Sequence, residues 1–358
     1  MATVFLNGRF LSREEASVSA FDAGFQHGVG LFETMTAIAG RVASVGIGQR
    51  AKEEAEVEAL QRVRVIHLSE HMKRLAESAR ALGLSDALRT AALEEAVSRT
   101  VARASMEMPD QAHYRVRLTI TGGDLNMLTR GAGAATPQAQ QPTVLIVAQP
   151  ATQYPREMFE RGVGVSIADY KANPLSPFEG HKTLSYWPRL RELQVAATKG
   201  AAEALVFQVS NHLAGGCVSN AFLVKNGVLV TPLARGEEDG VSDVDQAIEQ
   251  AIGGGEQDSR RSAPHSGSSA RTEGKNLPSP VLPGITRKWV MDWAESELVD
   301  VERRMVTIAD VLDADEVLIT NSSWGVLPVV RVEREAIGDA VVGDVGRRLV
   351  QAWAELVA

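Results

Sequence analysis

Strand-like and helix-like segments alternate through the second half of the chain, and this alternation narrows the possible folds more than any other pattern in the sequence. No GxGxxG fingerprint lies between a strand and a helix, so Gly28-Val29-Gly30 is interpreted as a loop that allows close backbone approach. The alternation predicts an α/β to α+β fold. Strands are predicted at 162–168, 204–208, 221–225, 228–231 and 315–320, and helices near 186–199 and at 286–298.

The first half of the chain carries signals for antiparallel sheet. Asn7-Gly8 lies between two short apolar runs in 3–11, and this pair favours a tight hairpin because both residues tolerate positive φ. The Gly-rich stretch 21–34 is predicted to be an irregular loop that leads into a second hairpin. An alternating strand is predicted at 114–121, and the continuously apolar run 143–148 is predicted to be a buried strand.

A helix and a linker complete the predicted organisation. The helix is expected at 69–82, with Ser69 as its cap and Gly83 at its end. Residues 149–160 contain two prolines and are expected to link two domains. A length of 358 residues exceeds the size at which a single core usually stops growing, so two domains with a cleft between them are expected.

The composition predicts a soluble protein with small-molecule partners. Hydrophobic residues make up 44% of the chain, and no apolar run approaches the roughly 18 residues that span a bilayer. The net charge of -8 argues against nucleic acid or an anionic membrane as partner, since both favour clustered Lys and Arg. Cys217 is the only cysteine and residues 1–10 lack a secretory signal, so a cytoplasmic location is expected.

Two segments differ in composition from the rest. Residues 44–66 carry a charged, helix-prone run and are interpreted as an insertion. Residues 235–279 are rich in Gly, Ser, Asp, Glu and Gln, and cannot bury enough surface to offset the entropy of ordering. This stretch is predicted to be a mobile, largely disordered surface insertion with room for a short helix at 242–252.

Two turns in the C-terminal half are suited to binding a phosphate. In LPGITR, residues 282–287, Pro and Gly precede an amphipathic helix, so the amides of Ile285 and Thr286 would lie at a helix N-terminus with its positive dipole. In TNSSWG, residues 320–325, hydroxyls follow a strand, and such a turn can form an anion-binding nest. Neither turn is specific alone, because most such turns only start a helix or reverse the chain.

Lys182 follows an irregular segment and opens an apolar helical pattern. Partial burial there would lower its pKa and leave the neutral amine that attacks an aldehyde. Nearly all lysines are solvated surface charges. The residues around Lys182 therefore do not by themselves distinguish it from its neighbours.

The order and spacing of these segments resembles the fold-type IV enzymes that use pyridoxal 5'-phosphate (PLP), which include branched-chain aminotransferases, D-amino-acid aminotransferases and aminodeoxychorismate lyases. The matching pieces span nearly the whole chain, and both insertions fall between them. They are NGRFL, SAFDAGFQHGVGLFETM, LSEHMKRLAESARALGL, YRVRLTITGG, HKTLSYWPRLRELQVAATKGAAEALVF, VSNAFLVKNGVLVTPL, LPGITR and EVLITNSSWGVLPV. The resemblance implies two α/β domains, 1–150 and 156–358, with the cofactor in the cleft of a homodimer.

The resemblance also implies roles for individual residues. Lys182 matches the lysine that holds PLP as a Schiff base, and Arg74 matches the arginine that reaches the cofactor phosphate. The other implied cofactor contacts are Ile285 and Thr286 at the helix start, Ser322 in the second turn, Tyr186 beside the cofactor and Asn220, which positions a strand. The implied substrate pocket contains Phe32, Thr34 and Arg117.

One departure from the family pattern concerns the pyridine nitrogen. The family has a Glu that pairs with this nitrogen and keeps it protonated, and Gly215 stands at that position here, with no carboxylate nearby in sequence. Water or a group from elsewhere in the fold would then meet the nitrogen. Two smaller departures are Val29, where an acidic residue is common, and Gly122-Gly123, where Arg-Gly is usual.

Three functions are compatible with this sequence. The leading hypothesis is an aminotransferase that exchanges an amino group between a branched-chain-like amino acid and a 2-oxo acid. The second is a lyase of the aminodeoxychorismate type, which would use the same lysine and phosphate site to eliminate pyruvate. The third is a PLP-binding protein with weak or no catalysis, because Gly215 replaces the usual Glu.

Overall fold

A computed structural model describes residues 3–41, 49–124, 142–238 and 277–358 of the chain. The described part of the first half forms a six-stranded antiparallel sheet in the order β2-β1-β6-β5-β3-β4. Asn7 and Gly8 both have positive φ and join β1 to β2, so the predicted hairpin is confirmed. The strands are β1 Thr3–Leu6, β2 Arg9–Leu11, β3 Gly30–Ala39, β4 Val63–Val65, β5 His113–Thr121 and β6 Val144–Pro150.

Helices cover one face of this sheet. Alternation along β5 buries Tyr114, Val116 and Leu118 against them and places Arg115 and Arg117 on the opposite face. That opposite face borders the second half of the chain. The helices of the first half are α1 Ala23–His27, α2 Gln49–Gln61, α3 Leu68–Ala81 and α4 Thr90–Glu107. Of these, α3 and α4 pack directly on the sheet.

The described part of the second half forms a mixed sheet in the order β12-β11-β10-β13-β14-β7-β8-β9, with β15 paired to β14. Because β9 also contacts β10, the sheet curls back on itself. Its strands are β7 Val163–Ala172, β8 Glu203–Gln208, β9 Leu213–Gly216, β10 Asn220–Lys225, β11 Val228–Pro232, β12 Val301–Arg304, β13 Glu316–Asn321, β14 Gly325–Val332 and β15 Glu335–Ala336. Its helices are α5 Arg156–Arg161, α6 Trp187–Thr198, α7 Ile285–Ser296, α8 Ile308–Leu312 and α9 Asp344–Leu356.

This arrangement confirms the predicted α/β to α+β class, and the helices predicted near 186–199 and at 286–298 form within two residues of those bounds. The division into domains 1–150 and 156–358 stays a prediction. None of the helices in the described ranges is both long enough and apolar enough to cross a bilayer.

Several local predictions are wrong. The stretch 21–34 is not all loop, because Asp22 caps α1 and β3 begins at Gly30. Ser69 is not a cap, since α3 begins one residue earlier, after His67 in a left-handed conformation. The run 143–148 is not buried throughout: only Ile146 and Ala148 of β6 are, because one face alone packs on the helices.

The interpretation of two segments as insertions and of a third as a linker stays a prediction. Within 44–66, α2 packs on α4 and β4 pairs with β3, so this stretch supplies the edge strand of the sheet. Within 149–160, β6 ends at Pro150 and α5 begins at Arg156. Residues 42–48 and 239–276 lie outside the described ranges, and with them most of 235–279, including 242–252.

Candidate active site

A cavity of about 430 Å³ lies between the open face of the first sheet and the loops at one edge of the second. Its wall carries five cationic side chains, and no Asp or Glu is among the described residues that line it. A cavity with this charge favours an anionic ligand. The five are Arg74, Arg115, Arg117, Lys182 and Arg189.

Lys182 is held in this cavity by the first sheet. Its carbonyl accepts a 2.9 Å hydrogen bond from the amide of Phe32, and the amide of Leu184 donates to Gly30 at 3.0 Å. The half-buried side chain places Nζ 4.4 Å from the ring centre of Phe32 and 5.6 Å from that of Tyr186. Desolvation, and then the positive charge of Arg74, lower the pKa of Lys182 to about 7. The amine is therefore partly neutral near neutral pH.

A buried cluster fixes Arg74 in the wall beside Lys182. Nε and Nη2 of Arg74 donate to the carboxylate of Glu33 at 2.9 and 2.5 Å, and Nδ1 of His71 lies 2.8 Å from the same carboxylate. Burial opposes ionisation of Glu33, but the charge of Arg74 and the bond from His71 outweigh it and lower the pKa of Glu33 to about 2. Sequence analysis missed Glu33 and His71, because their grouping with Arg74 becomes visible only when β3 and α3 are packed together.

The LPGITR turn forms a helix start that is open to a ligand. Among the described residues no side chain caps α7, so the amides of Ile285 and Thr286, which line the cavity, keep the free donors of a helix N-terminus. Arg74 donates to the carbonyl of Pro283 at 3.0 Å, and Asn220 donates to that of Leu282 at 2.9 Å. Arg74 and Asn220 therefore position the turn through its carbonyl groups.

The second turn lies beside this helix start. Ser322 lines the cavity, and its carbonyl accepts a hydrogen bond from the hydroxyl of Thr36 on β3. Thr320 Oγ1 is buried in the same wall and has no hydrogen-bond partner among the described residues. A buried hydroxyl without a partner is costly, and it fits a phosphate oxygen next to the amides of α7.

Tyr186 is oriented by the loop that follows β9. Its hydroxyl donates to the carbonyl of Cys217 at 3.0 Å, and its ring meets that of Phe32 edge to face at 5.4 Å. Burial raises the pKa of Tyr186, so the phenol stays protonated. Tyr186 and Phe32 thus form adjacent walls around the amine of Lys182.

The cavity face of the first sheet brings together the predicted substrate-pocket residues. Thr34 pairs with Arg117 across β3 and β5, and the guanidinium of Arg117 lies 3.8 Å from the ring centre of Phe32. Arg115, two residues away on the same strand face, also lines the cavity and was missed by sequence analysis. In the described part of the chain, neither Arg115 nor Arg117 has a carboxylate partner. Both guanidinium groups are available to a substrate carboxylate.

The backbone at position 215 leaves no room for a side chain. Gly215 has φ +123°, and a Cβ there would lie 2.7 Å from the carbonyl oxygen of Ser219. Glu203 on β8 does approach this loop, but its carboxylate accepts from the amides of Ala204, Cys217 and Val218 and from the hydroxyl of Ser219. Glu203 does not line the cavity.

Arg189 occupies the wall next to this loop. Its Nη1 donates to the carbonyl of Gly216 at 3.3 Å, and its Nη2 pairs with Glu179 at 2.9 Å. Its side chain is 20% exposed. Sequence analysis missed Arg189, although its position three residues after Tyr186, at the start of a helix, was a signal that both side chains share a face.

Comparison with known proteins agrees with this site. Residues 55–243 and 274–332 match the sequence profile of the family described as amino-transferase class IV. A Methanocaldococcus jannaschii protein provisionally named as a branched-chain-amino-acid aminotransferase is 25% identical over 99% of this chain and 96% of its own length. A D-alanine aminotransferase from Staphylococcus epidermidis is 23% identical over 100% of this chain and 98% of its own.

Solved structures share the fold. The branched-chain aminotransferase of Escherichia coli superimposes with a TM-score of 0.71 at 21% identity, covering 99% of this chain and 94% of its own. The 4-amino-4-deoxychorismate lyase of Pseudomonas aeruginosa gives 0.67 at 22% identity, covering 98% of each chain. Another branched-chain aminotransferase, crystallised with pyridoxamine 5'-phosphate, gives 0.71 at 22% identity, covering 99% of this chain and 93% of its own.

The cavity suits the cofactor of these enzymes. The uncapped start of α7 and the unpartnered hydroxyl of Thr320 fit a phosphate, and the partly neutral amine of Lys182 fits an aldehyde. The profile match covers more than half of the chain and includes Lys182 and both turns. This chain therefore belongs to the class IV aminotransferase family, whose cofactor is pyridoxal 5'-phosphate.

Proposed function

We propose that this protein is an aminotransferase that exchanges an amino group between a branched-chain-like amino acid and a 2-oxo acid. The observation that carries the proposal is Lys182: a lysine with a pKa of about 7, fixed by the first sheet, that lines the same cationic cavity as an uncapped helix N-terminus. The M. jannaschii relative supports the choice of amino acid.

In this proposal the two turns hold the phosphate. The amides of Ile285 and Thr286 bind it, the hydroxyls of Thr320 and Ser322 complete its contacts, and Arg74 adds positive charge nearby. Asn220 keeps the turn in place. Tyr186 closes one side of the site.

When bound, the cofactor supplies an aldehyde that bonds to an amine and a ring that withdraws electrons from the substrate α-carbon. Lys182, in its neutral form, is the group that would hold the cofactor through its aldehyde. The amine of Lys182 would also move the proton at the substrate α-carbon, first as a base and then as an acid. Phe32 and Tyr186 shield that amine from water.

Arg115 and Arg117 supply the binding site for the substrate carboxylate. Both lie on the cavity face of β5, two residues apart. Aromatic side chains of Phe32, Tyr154 and Trp324 line the same space and suit an apolar substrate side chain. Thr34 lies beside Arg117 and completes this pocket.

A lyase of the aminodeoxychorismate type is the second candidate, because the P. aeruginosa lyase matches 98% of this chain. A binding protein with little catalysis is the third candidate, because position 215 has no carboxylate and its backbone leaves no room for a side chain. Each candidate uses the same cofactor site.

We also propose a cytoplasmic homodimer. Phe25 on α1 and Trp187 on α6 are 78% and 76% exposed, and Phe178 is 60% exposed. A Cβ at Gly28, which ends α1, would lie 3.0 Å from the hydroxyl of Ser185 just before α6, so the two elements adjoin. Exposed apolar side chains on adjoining elements suit contact with a second copy of the chain.

The test uses the purified protein loaded with PLP. We expect a visible absorbance band that shifts to that of the pyridoxamine form when an amino acid is added. The original band should return when 2-oxoglutarate is added. The panel contains L- and D-forms of branched-chain amino acids, alanine and aminodeoxychorismate. Lys182→Ala should lose the band and at least about a hundredfold in activity, whereas Lys171→Ala, at an exposed site, should change neither.

The outcomes separate the candidates. Release of pyruvate from aminodeoxychorismate without amino transfer would favour the lyase. A band that responds to no amine would favour the binding protein. If neither wild type nor Lys182→Ala develops a band with added PLP, the assignment of this cavity as the cofactor site is wrong.

A further inference from the structure

The described lining of the cavity offers no acidic partner for the ring nitrogen of the cofactor. No Asp or Glu is among the described lining residues. Glu203, whose carboxylate bonds to the loop after β9, already accepts four hydrogen bonds from residues 204 and 217–219 and does not line the cavity. It cannot accept from the ring without breaking those bonds. A protonated ring nitrogen would therefore find no carboxylate in the described part of this cavity.

The chemistry of PLP decides which wall the ring nitrogen meets. In PLP, the ring carbon that bears the aldehyde lies directly across the ring from the nitrogen and next to the ring carbon that bears the phosphate arm. With Lys182 at the aldehyde, the nitrogen faces the side away from Lys182. Tyr186 connects Lys182 to the loop after β9, because its ring centre lies 5.6 Å from Nζ and its hydroxyl donates to the carbonyl of Cys217. Position 215, where the resemblance places the partner of the nitrogen, adjoins this loop, so the nitrogen is assigned to this wall.

Arg189 stands in that wall. Its guanidinium is bonded to the carbonyl of Gly216, the residue before Cys217, and it lines the cavity. Of its five N–H donors, one is used by Gly216 and one by Glu179, so three remain for other acceptors in the described structure. The ion pair with Glu179 holds the group in place without removing these donors.

We propose that Arg189 donates a hydrogen bond to the pyridine nitrogen of bound PLP and keeps that nitrogen unprotonated. Arginine carries donors only, so it can bond to a nitrogen that offers a lone pair and not to one that carries a proton. Its positive charge also disfavours a second cation beside it. The inference rests on the cofactor lying in this cavity as proposed above.

An unprotonated ring withdraws electrons less strongly than a protonated one. The α-carbon proton is then less acidic, so the rate of its removal depends more strongly on Lys182 as the base. We expect slower amino transfer than an enzyme with a carboxylate at this position would give, with cofactor binding retained.

The experiment records the ¹⁵N resonance of PLP labelled at the ring nitrogen and bound to the protein, between pH 6 and 9. This resonance moves by a large amount on protonation and does not depend on turnover. We expect the unprotonated position in the wild type and in Arg189→Lys, and a shift toward the protonated position in Arg189→Gln. Arg191→Gln is the matched control, since Arg191 lies on the same helix with its side chain 57% exposed and outside the cavity.

Two results would overturn the inference while leaving the cofactor site intact. One is a protonated nitrogen in the wild type, which needs no variant to fold. The other is an unprotonated nitrogen in both wild type and Arg189→Gln, which would show that Arg189 is not the cause. Failure of the wild type to bind labelled PLP would overturn both this inference and the proposed function.

Discussion

The reactive property of Lys182 comes from its surroundings. Its side chain is the same as that of any lysine, but desolvation and the neighbouring Arg74 bring its pKa to about 7. The carboxylate of Glu33 acts in the opposite direction and limits the shift. The neutral fraction of the amine therefore depends on residues from three separate parts of the chain.

This shift makes the stability of the cofactor-free protein depend on pH. Between pH 7 and about 10.4, the usual lysine value, Lys182 is protonated in the unfolded chain and neutral in the folded one, so the unfolded state binds more protons. Stability from this group then rises with pH through that window and is constant below it. We expect the denaturant midpoint of Lys182→Met to rise less between pH 7 and 9.5 than that of the wild type. Equal slopes would contradict the low pKa.

At the scale of elements, the Glu33 cluster joins β3 to α3 and, through Arg74, to the turn before α7. Alternation along β3 makes this possible, because Glu33 faces the helices while Phe32 and Thr34 face the cavity. One strand thus supplies both the support of the phosphate turn and the wall of the substrate pocket.

Removing the charge of Glu33 should destabilise the protein strongly. Glu33→Gln leaves Arg74 buried without its counter-ion, and we expect a loss of about 3 kcal/mol in the free energy of unfolding, measured with urea. Glu77→Gln is the matched control, because Glu77 on α3 is 59% exposed and pairs with the exposed Lys73 at 4.0 Å. Equal effects of the two changes would contradict a structural role for the cluster.

The start of α7 tolerates no side chain at position 284. A Cβ on Gly284 would overlap Oδ1 of Asn220, although φ is an ordinary −69°. Gly284→Ala should therefore displace the turn and weaken PLP binding about tenfold or more, the equivalent of one hydrogen bond, as measured by fluorescence titration. In Asn220→Ala the overlapping atom is absent. The double variant should bind no more weakly than Asn220→Ala alone, and additive losses would count against this explanation.

At the scale of the whole molecule, the adjoining α1 and the start of α6 present exposed aromatic side chains. Charge placed there should separate the proposed dimer. We expect Phe25→Asp with Trp187→Asp to sediment as a monomer while the wild type sediments as a dimer. Val209→Asp, at a 58% exposed site in the turn between β8 and β9, should leave the mass unchanged. A monomeric wild type would refute the proposal.

The elements whose signals are local were largely predictable. Alternation in 114–121 marked β5 to within one residue, and Asn7-Gly8 marked the first hairpin. Ser69 failed as a cap because the chain enters α3 through His67 in a left-handed conformation, which neighbouring residues do not reveal. The partial burial of β6 was missed because an apolar run does not show which of its faces a helix covers.

The features of the site also divide into those with local signals in the sequence and those that depend on tertiary contacts. The sequence by itself determined the order of the segments, the turn before α7 and the loss of a carboxylate at Gly215, because backbone preferences and residue identity act over a few positions. Only the tertiary structure decided that Lys182 is desolvated, that Arg74 is paired with Glu33 and that Arg189 faces the cavity. Desolvation and charge pairing depend on groups distant along the chain, which come into contact only when the two sheets pack together.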